Sequence, residues 1–186
     1  MAKVILGTTM SLDGFINDRN GSVSDLYPDL AALQDTEPLR ESMQNTGAVV
    51  MGRNSFAMAE DPDTIADDYE YQVPIFVLTH QLPPKKPKEN DRLTFTFVTD
   101  GIESAIAQAK AAAGDKDVTI IGAASTARQC IQAGLADELH VDIMPVLLGG
   151  GLRLFEDTGI ESVQLERLKV VELPGGRMHL RFRFIK

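Results

Sequence analysis

Cysteine occurs once in the 186 residues, at Cys130, so an internal disulfide and any metal site built on a cysteine pair are excluded. Cations are scarce as well: 18 Lys and Arg stand against 27 Asp and Glu, for a formal net charge of −9. Such a surface opposes nucleic-acid binding, which needs cationic groups to displace counterions. Any anionic ligand must then be held locally, by a few arginines and oriented backbone dipoles. No apolar run approaches the roughly 18 residues of a membrane-crossing helix. The opening stretch MAKVILGTTMSLDG lacks the apolar core of a secretion signal and reads as a first strand. The expected partner is therefore a small molecule, with no nucleic acid and no membrane, and the expected location is the cytoplasm. Repeats and low-complexity tracts are absent, and the Pro/Lys-rich stretch 82–91 is too short to separate domains. One domain over 1–186 is expected, with 44% apolar residues to build its core.

What is present alternates between strand and helix. Strands are expected at 3–10, 47–51, 73–80, 93–98, 117–122 and 137–148, and a hairpin over 163–185 turns at Pro174-Gly175-Gly176. Helices are expected at 28–44, interrupted near Pro38, at 100–115 and at 124–135. In the second of these, Asp100 and Glu103 form a capping-box pattern, Ile102, Ala105, Ile106 and Ala109 share one face, and Gly114 ends the helix. Near-continuous apolar strands between helices imply a sheet covered on both faces. The predicted fold is α/β: a three-layer α/β/α sandwich with a mixed, mainly parallel sheet and a C-terminal antiparallel hairpin. Ligands in such folds sit beyond the carboxyl ends of strands.

Two strand ends have the chemistry of a phosphate seat. VVMGRNSF (49–56) runs from strand into Gly52, Arg53, Asn54 and Ser55. A glycine admits close backbone approach, and a guanidinium can fork onto a phosphate. The next helix would add free N–H groups and a positive dipole end. TIIGAASTARQ (119–129) repeats the plan with Gly122, Ala123, Ala124, Ser125 and Thr126. Each segment read singly is also an ordinary strand-to-helix turn with a small-residue cap. Neither matches the G-x-G-x-x-G or Walker fingerprints. Read together, they could grip a diphosphate from two sides, and Thr79 and His80, ending a third strand, suit the far end of a nucleotide.

At these residues the sequence resembles the dihydrofolate reductase-like family, most of all the branch typified by the reductase domain of riboflavin biosynthesis. Four stretches carry the resemblance: SLDGFI (11–16), VVMGRNSF (49–56), IIGAAST (120–126) and DELHVDIMPVLLGGGLRLFED (137–157). It runs nearly end to end and implies an NADPH-dependent reductase. By position it implies that Gly52, Arg53, Asn54 and Ser55 cradle cofactor phosphates, and that Thr79 and His80 flank the 2′-phosphate. Gly122, Ala123, Ala124, Ser125 and Thr126 would meet the diphosphate. Thr9 and Ile16 would lie along the nicotinamide, Asp13 and Gly14 in the loop covering it, and Gly149 to Gly151 in a neighbouring loop. Ala123 and Ala124 stand where the family often has glycines, and their Cβ atoms limit how near a diphosphate can come.

Reducing a C=N bond calls for an acid near the acceptor. Asp29 resembles the carboxylate that dihydrofolate reductases place on the helix facing the pteridine, though a first helical turn favours a carboxylate anyway. Asp13 could touch substrate or shape the Asp-Gly turn. His140 could point into the cleft, with a half-buried histidine bonded to backbone as the plainer expectation. The acidic run 60–70 reads as a solvated loop. No metal site is expected, and the zinc deaminase signatures of the bifunctional riboflavin enzymes are missing. The leading expectation is hydride transfer to a small nitrogen heterocycle or a related imine or carbonyl. The alternatives are a nucleotide-binding or regulatory protein of the same fold without turnover, and an assembly module with no ligand. The apolar run IMPVLLGGG (143–151), with the resemblance, suggests a homodimer.

Overall fold

The computed structural model describes residues 2–28, 30–122, 124–156, 159 and 162–186. Strand β1 (Val4–Ser11) lies inside one eight-stranded sheet with β2 (Thr46–Gly52), β3 (Ile75–Leu78), β4 (Phe95–Val98), β5 (Asp117–Ile121), β6 (Glu138–Met144), β7 (Leu165–Leu173) and β8 (Arg177–Phe184). The order across the sheet is β4-β3-β2-β5-β1-β6-β8-β7. The first six strands pair in parallel; β8 runs antiparallel to both β6 and β7. The terminal hairpin turns at Pro174–Gly176, where expected, with Gly175 at φ 75°.

Helices α1 (Leu30–Gln34) and α2 (Glu37–Asn45) replace the single stretch expected over 28–44. The break falls just before Pro38, which occupies the first turn of α2, where its missing N–H leaves no helical bond unmade. The remaining helices are α3 (Arg53–Phe56), α4 (Ile65–Asp68), α5 (Ile102–Ala113) and α6 (Ala124–Gln132).

Strand alternation sorts the core into two clusters on opposite faces. Ala48 and Val50 of β2 join Val4, Leu6, Val118, Ile120 and the buried face of α5 in one cluster. Val49 and Met51 join Phe56, Tyr71, Ile75, Val77 and Phe95 in the other. Burying each such aliphatic side chain stabilises the fold by about 1.5–3 kcal/mol. Ile102, Ala105, Ile106 and Ala109 of α5 are all buried. The α5 start corrects the expected capping box. Gly101, at φ 108°, is the N-cap and no side chain caps the helix, so Glu103 sits one position too early to reach back.

Strand β6 ends at Met144 rather than at 148, because Pro145 has no N–H to continue the ladder. The run 143–151 is therefore a strand end followed by a loop, not one long strand. The acidic run also departs from a plain loop: α4 occupies 65–68, and Asp63 and Asp67 pair with Lys85 and Lys88 of the 82–91 connection. Among the described residues no helix is long and apolar enough to cross a membrane.

Candidate active site

Because β1, β2, β3, β5 and β6 are parallel, their carboxyl ends open on one side of the sheet. Met51 of β2 pairs with Ile121 of β5, so the chain turns at Gly52 and Gly122 leave the sheet side by side. The two candidate phosphate seats are thus neighbours, not jaws closing from across the sheet. Gly122 has φ 87°, and a Cβ there would run into the Ser55 side chain. The positive φ and the close approach of the other turn both require glycine. Gly52, at φ −78°, has an ordinary backbone conformation.

A notch adjoins these turns. Pairing of β1 with β5 stops at Gly7 and Ile121, while pairing with β6 continues to Ser11 and Met144. Strand β1 outruns β5 by four residues, Thr8 to Ser11, and Thr9 lies in that overhang, nearly buried.

Three residues of the first seat are accessible, and Gly52 is buried. Arg53 and Asn54 are exposed and Ser55 is half-buried. Among the described residues no carboxylate pairs with Arg53, so its fork is available to an anion. The helix that begins there, α3, is a single turn, which corrects the expected contribution of a helix dipole. The second seat leads into the nine-residue α6. Ser125 is exposed, and its hydroxyl accepts from Gln129 Nε2 at 3.2 Å. Ala124 and Thr126 are buried, so Ser125 is the hydroxyl this turn presents outward. Ala123 lies outside the described residues. Thr79 is buried with its hydroxyl donating to Gln81 O at 2.8 Å, which closes a local turn and leaves His80 exposed beside it. Ile16 packs against the larger core cluster, and its N–H donates to Leu152 O at 2.8 Å.

Asp29 lies outside the described residues. Asp13 is fully placed, and both of its carboxylate oxygens are engaged. Oδ1 accepts from the Ser11 hydroxyl at 2.6 Å and from Leu148 N at 3.1 Å; Oδ2 accepts from Gly149 N at 2.8 Å. The Ser11 hydrogen bond, followed by the Gly149 and Leu148 amides, holds this carboxyl below its ordinary value against a desolvation that pushes it up. Asp13 is therefore an ionised fastener between the loop after β1 and the glycine loop after β6. Arg19 Nη2 donating to Gly149 O at 2.9 Å, Leu152 N donating to Asn17 Oδ1 at 2.8 Å and Arg153 stacked 4.4 Å over the Phe15 ring complete that fastening.

A polar cluster that the linear reading did not single out lies on the same sheet face as Thr9. The register aligns Thr9 of β1, Asp142 of β6 and His179 of β8. Arg177, only 2% exposed, donates from Nη1 to Asp142 at 3.2 Å and to the Thr9 hydroxyl at 3.4 Å, and from Nη2 to Leu26 O at 2.7 Å. His179 Nε2 accepts from Arg181 Nε at 2.9 Å, which leaves Nδ1 to donate to Asp142 at 2.7 Å. Arg181 then pairs with Glu41 of α2 at 2.9 Å. The strict alternation of RMHLRFRF (177–184) was the available signal: every second residue on that strand is polar and faces one side. His140 is half-buried, as expected, but its partner is the Glu138 carboxylate at 3.0 Å, not backbone. Burial lowers its pKa, with Glu138 pulling the other way.

The chain belongs to the RibD C-terminal domain family, whose model matches residues 2–178. It is 29% identical over 166 residues to the uncharacterized protein YyaP of Bacillus subtilis (strain 168), covering 83% of this chain and 81% of that one. A putative riboflavin biosynthesis protein from Shewanella sp. PV-4 superposes over 100% of both chains, with a TM-score of 0.80 at 24% identity. Acinetobacter baumannii RibD matches with a TM-score of 0.68 at 20% identity, covering all of this chain and 59% of its own length. Enterococcus faecalis dihydrofolate reductase, solved with NADP(H), matches with a TM-score of 0.66 at 14% identity over 99% of this chain and 97% of that one. The fold is dihydrofolate reductase-like.

Proposed function

We propose that the protein is an NADPH-dependent reductase acting on a small nitrogen heterocycle or a related imine or carbonyl. The observation that carries this reading is the adjacency of the turns at Gly52 and Gly122 beside the β1 overhang. It puts an exposed, unpaired Arg53, the Ser125 hydroxyl and the start of α6 around one site at the carboxyl edge of a parallel sheet. Those residues fit a dinucleotide: charged and neutral donors for phosphates, with Thr9 further along the notch. Arg53, Asn54 and Ser55 would hold phosphate, and His80 would meet the ribose phosphate. The loops fastened by Asp13 would cover the reacting end and limit water. When bound, the cofactor supplies the hydride.

A second reading, a nucleotide-binding protein without turnover, draws support from Asp13, whose ionised and fully engaged carboxylate has no proton to give. Titration of NADPH fluorescence, followed by NADPH oxidation with dihydrofolate and 5-amino-6-(5-phosphoribosylamino)uracil as probe acceptors, separates the two. Saturable binding with turnover supports the reductase, and saturable binding alone supports the second reading. No binding up to millimolar cofactor overturns both.

We also infer a homodimer. Support comes from β7, the sheet's edge strand, with its exposed Leu165, Leu168 and Val170 and the neighbouring exposed Val163.

A further inference from the structure

If the reductase reading holds, the acceptor's developing negative charge needs a proton source that Asp13 does not provide. The polar cluster under the β1 overhang suggests one. Tyr27 closes a 3-10 turn over Ser24–Leu26, and the guanidinium carbon of Arg177 lies 5.4 Å from its ring centroid. The same guanidinium holds the Thr9 hydroxyl and the carbonyl of Leu26, the residue before Tyr27. Arg177 therefore sets the position of Tyr27 against Thr9. It is the one buried arginine among the described residues.

Tyr69 and Tyr71 have ring centroids 5.7 Å apart. The Tyr71 and Ser42 hydroxyls pair at 2.9 Å, while among the described residues the Tyr69 hydroxyl and Arg177 Nε are buried without a partner. Buried polar groups are nearly always paired, so Arg177 Nε, on the guanidinium that holds Thr9 and Asp142, is a donor left for a polar ligand. Burial pushes the Tyr27 phenol up, partly offset by the Thr9 hydroxyl and Arg177, so it is protonated at neutral pH and donates.

We propose that Tyr27, positioned and backed by Arg177, is the residue that meets the acceptor beside Thr9 and protonates it. The acceptor is then a flat heterocycle whose C=N or C=O heteroatom accepts the phenolic hydrogen bond. When hydride reaches the acceptor carbon, the π pair moves onto that heteroatom, which forms a bond to the phenolic proton as the O–H bond breaks. The bound cofactor would supply the two electrons by which the acceptor is reduced. The phenolate, stabilised by the Arg177 charge, recovers a proton from solvent. Arg177 is a positioning residue; Tyr27 is a catalytic one.

The test compares wild type with Tyr27→Phe, which removes only the hydroxyl. Cofactor affinity comes from NADPH fluorescence, probe affinity from calorimetry of dihydrofolate and of 5-amino-6-(5-phosphoribosylamino)uracil on the NADP⁺-loaded protein, and turnover from NADPH oxidation with the same two compounds. Expected are unchanged NADPH affinity and melting temperature, probe affinity at least roughly tenfold weaker, and kcat lower by about a hundredfold. Tyr27→Phe matching wild type in probe affinity and turnover overturns the assignment while leaving the reductase reading intact. So does failure of the loaded wild type to bind either probe. Failure of wild type to bind NADPH overturns the reductase reading itself.

Discussion

The Ser55 side chain occupies the space that a Cβ on Gly122 would need, so the turns at Gly52 and Gly122 are built against each other. Gly122→Ala must adopt φ 87°, which disfavours any L side chain, and must also displace Ser55. The expected result is a stability loss of about 1–3 kcal/mol together with NADPH affinity weakened by roughly tenfold or more. Thermal melting and fluorescence titration of the same preparation check both.

Arg53 separates binding from folding. Its side chain is exposed and pairs with no carboxylate, so Arg53→Ala should change stability by less than about 0.5 kcal/mol. A lost charge-assisted hydrogen bond to phosphate is worth about 1.5–3 kcal/mol, so NADPH affinity should fall by roughly tenfold to a hundredfold. The remaining affinity should also depend less steeply on salt.

The Asp13 fastening gives a pH response of known sign. Its folded pKa is lowered, first by the Ser11 hydrogen bond, so the contribution is complete above the ordinary carboxylate value and is lost as pH falls through the folded value. Hydrogen exchange should show the Leu148 and Gly149 amides protected at neutral pH and losing protection only below about pH 4. In Asp13→Asn that protection should be weaker throughout, with no acid-dependent step.

Cys130 reports on opening of α6. It is fully buried, and burial pushes its thiol up to about 12. Ellman's reagent at pH 8 should react with the native protein roughly a hundredfold or more slowly than with the denatured chain, where one thiol titrates at once.

The inferred homodimer should scatter with twice the 20.3 kDa chain mass at micromolar concentration. Leu165→Lys with Val170→Lys, both on the exposed edge strand, should give a monomer with an unchanged melting temperature. A monomeric wild type would remove the inference.

The alternating pattern of apolar strands and amphipathic helices was legible because burial on two faces leaves a period in the sequence; β2 and α5 are examples. Gly122 was legible as a turn, but its need for glycine was not, because that depends on Ser55, which lies 67 positions away in the chain and beside it in space. Asp13 shows the limit most directly. The Asp-Gly pair announced a turn, yet its hydrogen-bond donors, Leu148 and Gly149, come from a loop about 135 residues later. Arg177 reads locally as the start of a hairpin arm; only the β6–β8 register brings it to Asp142 and Thr9.

Strand β1 is the first made and sits deep in the sheet, clasped by β5 and β6, whose residues begin at 117 and 138. During synthesis β1 stays without a neighbour until β5, more than a hundred residues later, has been made. The same long-range closures bring the loop after β1 to the loop after β6 through Asp13. Shortened or stalled products that stop before β5 would therefore expose an apolar strand with no neighbour, a target for chaperones and proteases.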